Sequence, residues 1–274
     1  MIGSIMQKTK SPIKNLPVHV PGQSLDRHIQ RVWDDKIMEP FTIAFMLCFF
    51  AAMEWFKIYL HARPMPKLYT LIALGYLWWA YRKIRKARRE VGNLKLGLVG
   101  ERAVGQYLEE ALTPLKYHVF HDIPGDGFNL DHVVVGPNGV FCVETKTFSK
   151  PANGPALVHY DGEFVRVNGM VPDRNPIVQA KAASRWLHEL LEASTGKKFN
   201  IQPIVIFPGW FVDTMPERAD VWVLNDKAAS AFIQGSKNHL LPEDVSLISF
   251  HLKRYVISAD TINAGKAFQP APGE

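Results

Sequence analysis

No charged side chain occurs between residues 41 and 53, and after Glu54 the apolar character resumes through Trp55, Phe56, Ile58, Tyr59 and Leu60. Residues 38–60 are therefore long enough to cross a bilayer, whose hydrocarbon core of ~30 Å takes roughly 20 helical residues. Glu54 and Lys57 interrupt the segment near one end, on one helix face, where long side chains snorkel or meet a partner helix. A second uncharged run, residues 68–81, is 14 residues long and crosses only by borrowing Pro66, Lys67 and Arg82. Between the two, Arg63-Pro64-Met65-Pro66 is a helix-breaking turn. Trp55, Tyr59, Tyr69, Trp78, Trp79 and Tyr81 gather toward the ends of the runs, as interfacial aromatics do. The spacing predicts a transmembrane helical hairpin over residues 38–83. A soluble hairpin buried in a large core is the competing reading, weakened because the remaining chain is long enough for a domain with its own core. A cleaved signal peptide fits less well, since the apolar run begins about 40 residues in and lacks a small-residue cleavage site.

Charge placement orients such a hairpin. The 274 residues carry a formal net charge of +6, which taken whole suggests a nucleic-acid binder. Residues 1–96, however, hold 16 Lys and Arg against 6 Asp and Glu, a net +10, while residues 97–274 hold 16 against 20, a net −4. Six of the basic residues lie in residues 1–40 and six in 82–89 (Arg82, Lys83, Arg85, Lys86, Arg88 and Arg89), with Arg63 and Lys67 in the turn. By the positive-inside rule both ends face the cytoplasm, and the run from Arg82 to Arg89 is placed to hold anionic lipid headgroups. A charged fraction of 21% and seven Trp exclude a disordered or collagen-like chain. Two distant cysteines, Cys48 and Cys142, exclude a disulfide framework or a multi-cysteine zinc site and point to a reducing compartment.

From Gly97 the pattern changes to alternating helix and strand. Leu98, Glu101, Val104, Gly105, Leu108 and Leu112 recur at helical spacing, which predicts a helix over 98–112 ended by Thr113-Pro114. Strands are predicted at 117–121, 130–135 and 140–147, then a hairpin of 157–160 and 163–167 around Asp161-Gly162. Asn175-Pro176 reads as an N-cap with proline at the first helical position, opening a helix to about residue 193. Strands at 201–207 and 220–224 and helices at 226–233 and 242–253 complete an α/β fold, one mixed sheet flanked by helices.

The chemistry concentrates in residues 129–146. Gly136-Pro137-Asn138-Gly139 is a turn with proline at its second and glycine at its last position, so the hairpin centre lies between Pro137 and Asn138. That register sets Asp131 directly opposite Glu144, side chains on one face ~5 Å apart. Lys146 falls two residues on, on the same face. Two opposed carboxylates repel and need a shared proton, a lysine or a divalent cation. Hard oxygen ligands with room for water suit Mg²⁺ or Mn²⁺. Lys146 beside them can orient or help deprotonate an attacking water, or stabilise charge on a phosphate. The competing reading is an exposed hairpin face with a chance Glu–Lys pair. Glu101 adds weight, since it lies on the core-facing stripe with Val104, Leu108 and Leu112, and a buried carboxylate needs a cation or donor.

Gly97-Leu98-Val99-Gly100-Glu101, then Asp131, then Glu144-Thr145-Lys146, and Asn175-Pro176-Ile177-Val178-Gln179 resemble the motif series of the nuclease-related (NERD) domain, a branch of the PD-(D/E)xK nuclease superfamily. The likeness runs from about residue 97 to 224. It implies a restriction-endonuclease-like mixed sheet flanked by helices, here preceded by the transmembrane hairpin. By resemblance Asp131, Glu144 and the Thr145 carbonyl are metal ligands, Lys146 is the catalytic lysine, Glu101 an accessory acid, and Gln179 a residue pointing to the site from the helix face it shares with Ala183, Trp186 and Leu190. Asp131 follows Leu130 rather than proline, a departure from the name-giving pattern. The implied protein is a membrane-anchored, Mg²⁺- or Mn²⁺-dependent hydrolase of phosphodiester bonds in nucleic acid, DNA foremost, in the bacterial inner membrane.

His118, His121 and His132 are near in sequence, but His132 points to the face opposite Asp131 and reads as structural. Asp122 and Asp126 read as solvated loop acids. No P-loop, dinucleotide fingerprint or Ser-His pattern is present. The expected organisation is a cytoplasmic tail (1–37), two membrane helices (38–83), a basic linker (84–96), the nuclease-like domain (97–258) and a flexible tail (259–274). The −4 charge of the globular part keeps a second reading open, a non-catalytic membrane-tethered module binding nucleic acid or protein. A third is a membrane sensor or scaffold acting through the hairpin.

Overall fold

The computed structural model describes residues 19–60, 63–213, 216 and 219–267. Residues 1–18 and 268–274, parts of the two expected tails, lie outside them. Helix α1 (Gln23–Trp33), a π-helical turn (Asp34–Met38) and α2 (Glu39–Tyr59) follow one another without a break. Ile29 and Val32 of α1 pack on Ala87, Val91 and Leu98, while α2 buries Ala44 and Ala51. In an uninterrupted α-helix Ala44 would lie about 60–120° round the axis from Ile29 and Val32. The extra residue of the π turn brings the two buried faces into phase.

Helix α3 (Pro66–Leu112) starts with proline in its first turn and is 47 residues long, so residues 84–96, expected as a linker, are helical. It runs antiparallel to α2. Trp55 Nε1 donates to Thr70 Oγ1 near the turn (3.0 Å), and Lys36 pairs with Glu90 at the other end (2.8 Å). The buried positions of the pair are small and seven residues apart: Ala44 and Ala51, then Ala73, Ala80 and Ala87. Phe45, Phe49, Leu71, Leu74 and Trp78 point outward and are exposed. A pair of helices folding in water would place them the other way.

Among the described residues one helical run, Gln23–Tyr59, is long and apolar enough to cross a membrane. The second expected span does not reach that standard. Its 14 uncharged residues rise only ~21 Å, and Arg82, Lys83 and Arg85 follow immediately.

After a 3₁₀ turn (Thr113–Leu115) come β1 (His118–Pro124), β2 (Asn129–Gly136), β3 (Gly139–Thr145), β4 (Leu157–Tyr160) and β5 (Val165–Val167). Then follow α4 (Pro176–Thr195), β6 (Ile201–Ile206), β7 (Phe211–Val212), β8 (Trp222–Leu224), α5 (Asp226–Gln234) and α6 (Pro242–Ala267). The main sheet is mixed and has the order β1-β2-β3-β6-β8. Its first three strands are antiparallel, and β3, β6 and β8 are parallel. The expectation of one sheet is corrected by a second, three-stranded sheet, β5-β4-β7, into which the small hairpin folds. The two-residue β7 is too short to leave a periodic signature.

Helices cover both faces of the main sheet. Val104, Leu108 and Leu112 of α3 and Ala229 and Ile233 of α5 pack on Val134, Phe141 and Val143. Ala183, Leu187 and Leu191 of α4 and Ile248 and Leu252 of α6 pack on Val133, Val135 and Cys142. Strand alternation then places Asp131, Glu144 and Lys146 on the α4 side and His132 and Thr145 on the α3 side.

Helix α3 approaches the end of β3 closely at Gly100, where an added Cβ would overlap the side chain of Thr147. Gly100→Ala is expected to destabilise the protein by about 1–3 kcal/mol despite alanine's better helix propensity. Thr147→Ala in the same chain should recover part of the loss, as read by denaturant unfolding.

Candidate active site

The turn sets the site. Gly136 pairs with Gly139, Val135 with Val140, Val134 with Phe141, Val133 with Cys142 and His132 with Val143, the register expected from the Gly-Pro-Asn-Gly sequence. One step further along it, Asp131 faces Glu144. Asp131 Oδ2 accepts the Thr145 backbone N–H at 2.6 Å. Lys146 donates from Nζ to Glu144 Oε1 at 2.6 Å. The Lys146 N–H bonds Ile206 O at 2.9 Å, extending the parallel pairing of β3 with β6 and holding the lysine's backbone at the sheet end.

Glu101 comes to this end from the opposite face, on the turn of α3 that touches Thr147. It is only 7% exposed, and its Oε1 accepts the backbone N–H of Gly22 at 2.8 Å. Burial, reinforced by the charge of Asp122, pushes its carboxyl up to about 7. Burial likewise holds the Asp131 carboxyl well above the usual carboxylate range, helped by Glu144 and Glu101 and opposed by the Thr145 N–H and Lys146. Asp131, Glu144, Glu101 and Lys146 thus share one electrostatic neighbourhood. Among the described residues, no three or more His, Cys, Asp or Glu side chains gather as a ready-made metal cluster.

Gln179 lies on the first turn of α4. Asn175 caps that helix by accepting the Ile177 N–H at 2.9 Å, with Pro176 at its start, as the sequence implied. Helix α4 lies in the connection between parallel strands β3 and β6 and runs back along the sheet. Ala183 packs in the cluster with Cys142, so Gln179, one turn earlier, lies toward the Glu144–Lys146 end. Its Oε1 is buried without a hydrogen-bond partner, as is Thr145 Oγ1.

Three partners of the site carry no local signal in the sequence. Asp122, expected as a solvated loop acid, is 1% exposed and sits in β1 with φ of 51°. Its carboxylate accepts the Ser24 N–H (2.6 Å), the Ser24 hydroxyl and Asn129 Nδ2 (2.8 Å). His19 joins the Asp122 carbonyl (2.6 Å) to Asp260 of α6 (2.7 Å). His19 and Gly22 come from the segment ahead of α1 and Ser24 from its first turn, and together they cover the α3 side of the site. Asp126 and His118 are exposed, as expected of peripheral residues. His132 does face away from Asp131: its Nδ1 meets His121 Nδ1 at 2.8 Å, and His121 Nε2 meets Glu109 at 2.9 Å. Burial lowers the pKa of both imidazoles, so they pack as neutral core groups.

The raised pKa of Glu101 has a stability consequence. The folded state holds a proton that the unfolded state has already released between about pH 4.5 and 7, so folding stability falls as pH rises through that window and levels off above it. The Glu101 contribution to that fall is on the order of 3 kcal/mol. Without divalent cations, Glu101→Gln, which keeps an acceptor for Gly22, is expected to flatten this slope and to be more stable than the parent at pH 7.5. Denaturant unfolding across pH 4–8 measures it.

No curated protein and no solved structure matches the chain. Residues 96–208 match a family model described as NERD, nuclease-related domain. The match spans Glu101, Asp131, Glu144, Thr145, Lys146 and Gln179. The segment that builds this site, residues 96–208, is a nuclease-related domain.

Proposed function

We propose that the chain is a membrane-anchored, metal-dependent nuclease that hydrolyses phosphodiester bonds in nucleic acid, with DNA as the foremost substrate. The observation that carries this reading is the register of β2 and β3, paired as far as His132 and Val143, whose continuation by one residue opposes Asp131 and Glu144 on one face with Lys146 beside them. One ammonium stands against the carboxyls of Asp131, Glu144 and Glu101, and the Asp131 carboxyl is raised by burial first and by the charges of Glu144 and Glu101 second. Two carboxylates, the Thr145 carbonyl and waters form the hard oxygen set that Mg²⁺ or Mn²⁺ takes, without a third acid. The unpartnered Gln179 Oε1 adds a further buried oxygen at this end of the sheet. A cation held by Asp131, Glu144 and Thr145 would supply Lewis-acid polarisation of the phosphate and a more acidic water.

The chain's own groups do the rest. Lys146 is tethered by Glu144, which aims its Nζ at the carboxylate face, where it orients water or neutralises charge on a phosphate oxygen. Glu101, near 7 and with one oxygen occupied by Gly22, holds or releases a proton at the other. Gln179 presents an acceptor from α4. A second reading, a non-catalytic binding module on the same fold, is favoured by the −4 charge of residues 97–274.

The full chain with Mg²⁺ or Mn²⁺ is expected to cut DNA, and Lys146→Ala or Asp131→Asn should lower kcat by ~100-fold or more. Equal rates for parent and variants would remove catalysis from this site and leave the binding module.

The membrane part of the proposal rests on the Gln23–Tyr59 run and on the outward Phe45, Phe49, Leu71 and Leu74 beside the alanine seam. In this reading both helices sit in the bacterial inner membrane with both chain ends cytoplasmic. Arg82 lies over the Trp78 ring and Lys83 over Trp79, 4.9 and 5.2 Å from the centroids, as cations at a headgroup boundary do. The chain is expected to stay with the membrane pellet through alkaline carbonate extraction. Release into the supernatant would refute the anchor.

A further inference from the structure

The chain leaving Lys146 has no regular secondary structure, and its residues Phe148, Ser149, Lys150 and Pro151 line a cavity of ≈530 Å³. Met170, Val171 and Pro172, after β5, and Trp210 line it as well. We propose that this cavity binds one unstacked nucleobase of the strand whose phosphate lies at Lys146. This rests on reading the Asp131–Glu144–Lys146 face as a phosphodiester site.

Several independent features favour that occupant. The aromatic wall is fixed in place: Phe148 stacks on Phe207 (6.1 Å, 18° between planes) and meets Trp210 edge-on (6.5 Å, 83°). Trp210 Nε1 also donates to the Phe148 carbonyl at 3.3 Å. A planar ring sliding against such a wall loses little to reorganisation, and base–aromatic contacts accept any base. Met170 and Val171 are 72% and 60% exposed, apolar surface that no other part of the described chain covers. The rim is polar, with Ser149, Asn168 and Asp173 placed for the edge of a base. Lys150 is in the lining, forms no ion pair with a carboxylate among the described residues, and is the basic group for the backbone phosphate. Three residues separate Lys146 from Lys150, which puts their Cα atoms at most ~14 Å apart, within reach of one strand. A base inside a duplex cannot enter, so single-stranded or frayed nucleic acid is the class of substrate selected.

The test uses the full chain in detergent with Ca²⁺ in place of Mg²⁺, and a single-stranded oligonucleotide carrying 2-aminopurine as the probe. Met170→Ala combined with Val171→Ala, and separately Phe148→Ala, are expected to weaken binding by ~10-fold and to abolish the change in 2-aminopurine emission. Duplex binding should change less. The surface double variant guards against a folding defect in Phe148→Ala, and unchanged binding and emission in the double variant would overturn the pocket whatever Phe148→Ala does. Cleavage by the parent that Lys146→Ala abolishes, with pocket variants binding normally, would overturn the pocket and leave the nuclease reading intact. Binding weakened by the pocket variants in a chain that never cuts would support the pocket and defeat catalysis. A parent that neither binds nor cuts would overturn both.

Discussion

Three carboxylates brought to one partly buried end of a sheet are the constraint around which the rest of this structure is arranged. Burial raises the cost of ionising Asp131 and Glu101, with Glu144 and Glu101 adding to it at Asp131, and Asp122 and Glu144 at Glu101. The fold answers with donors rather than distance: the Thr145 N–H and Lys146 ammonium on one side, the Gly22 N–H on the other. Each donor imposes a structural demand. Lys146 must be pinned by the β6 backbone. Glu101 can arrive only if α3 lies close to the strand end, which Gly100 permits. Gly22, with φ of 72°, must come from a segment at the far end of the chain. Sites that keep like charges together at the expense of stability are where perturbed protonation is put to chemical use.

The second consequence is that the apolar N-terminal helix and the site are not separate constructions. Gly22, which bonds Glu101, and Ser24, which bonds Asp122, flank the start of α1, and α1 continues through the π turn into α2 as one rod. The rod is fixed against α3 by Ile29 and Val32 packing on Val91 and Leu98, and by Lys36 pairing with Glu90. Helix α3 in turn carries Glu101. The geometry of the acids is therefore tied through two packed helices to the segment proposed to lie in the membrane. Charge is partitioned to match: the +10 of residues 1–96 belongs to these helices and the segment before them, while the −4 domain relies on local ammonium groups such as Lys146 and Lys150.

The features legible in the order of residues are those that depend on near neighbours. The Gly-Pro-Asn-Gly turn set the register of β2 and β3, period-two alternation put Asp131, Glu144 and Lys146 on one face and His132 on the other, and Asn175-Pro176 marked the start of α4. These hold because turn geometry and strand alternation act over a few residues. The tertiary structure alone decided the burial of Asp122, the bonds from Gly22, Ser24 and His19, the separate sheet of β4, β5 and β7, and the π turn that aligns α1 with α2. Gly22 and Glu101 are 79 residues apart, and His19 and Asp122 are 103 apart. No periodicity or motif links positions so distant, and only the packing of α1 on α3 and of α3 on the sheet brings them into hydrogen-bonding range. The 14 uncharged residues that open α3 stand between the two cases: their hydrophobicity is legible, but their place beside α2 is set by an alanine seam, which acts only when the partner helix is present.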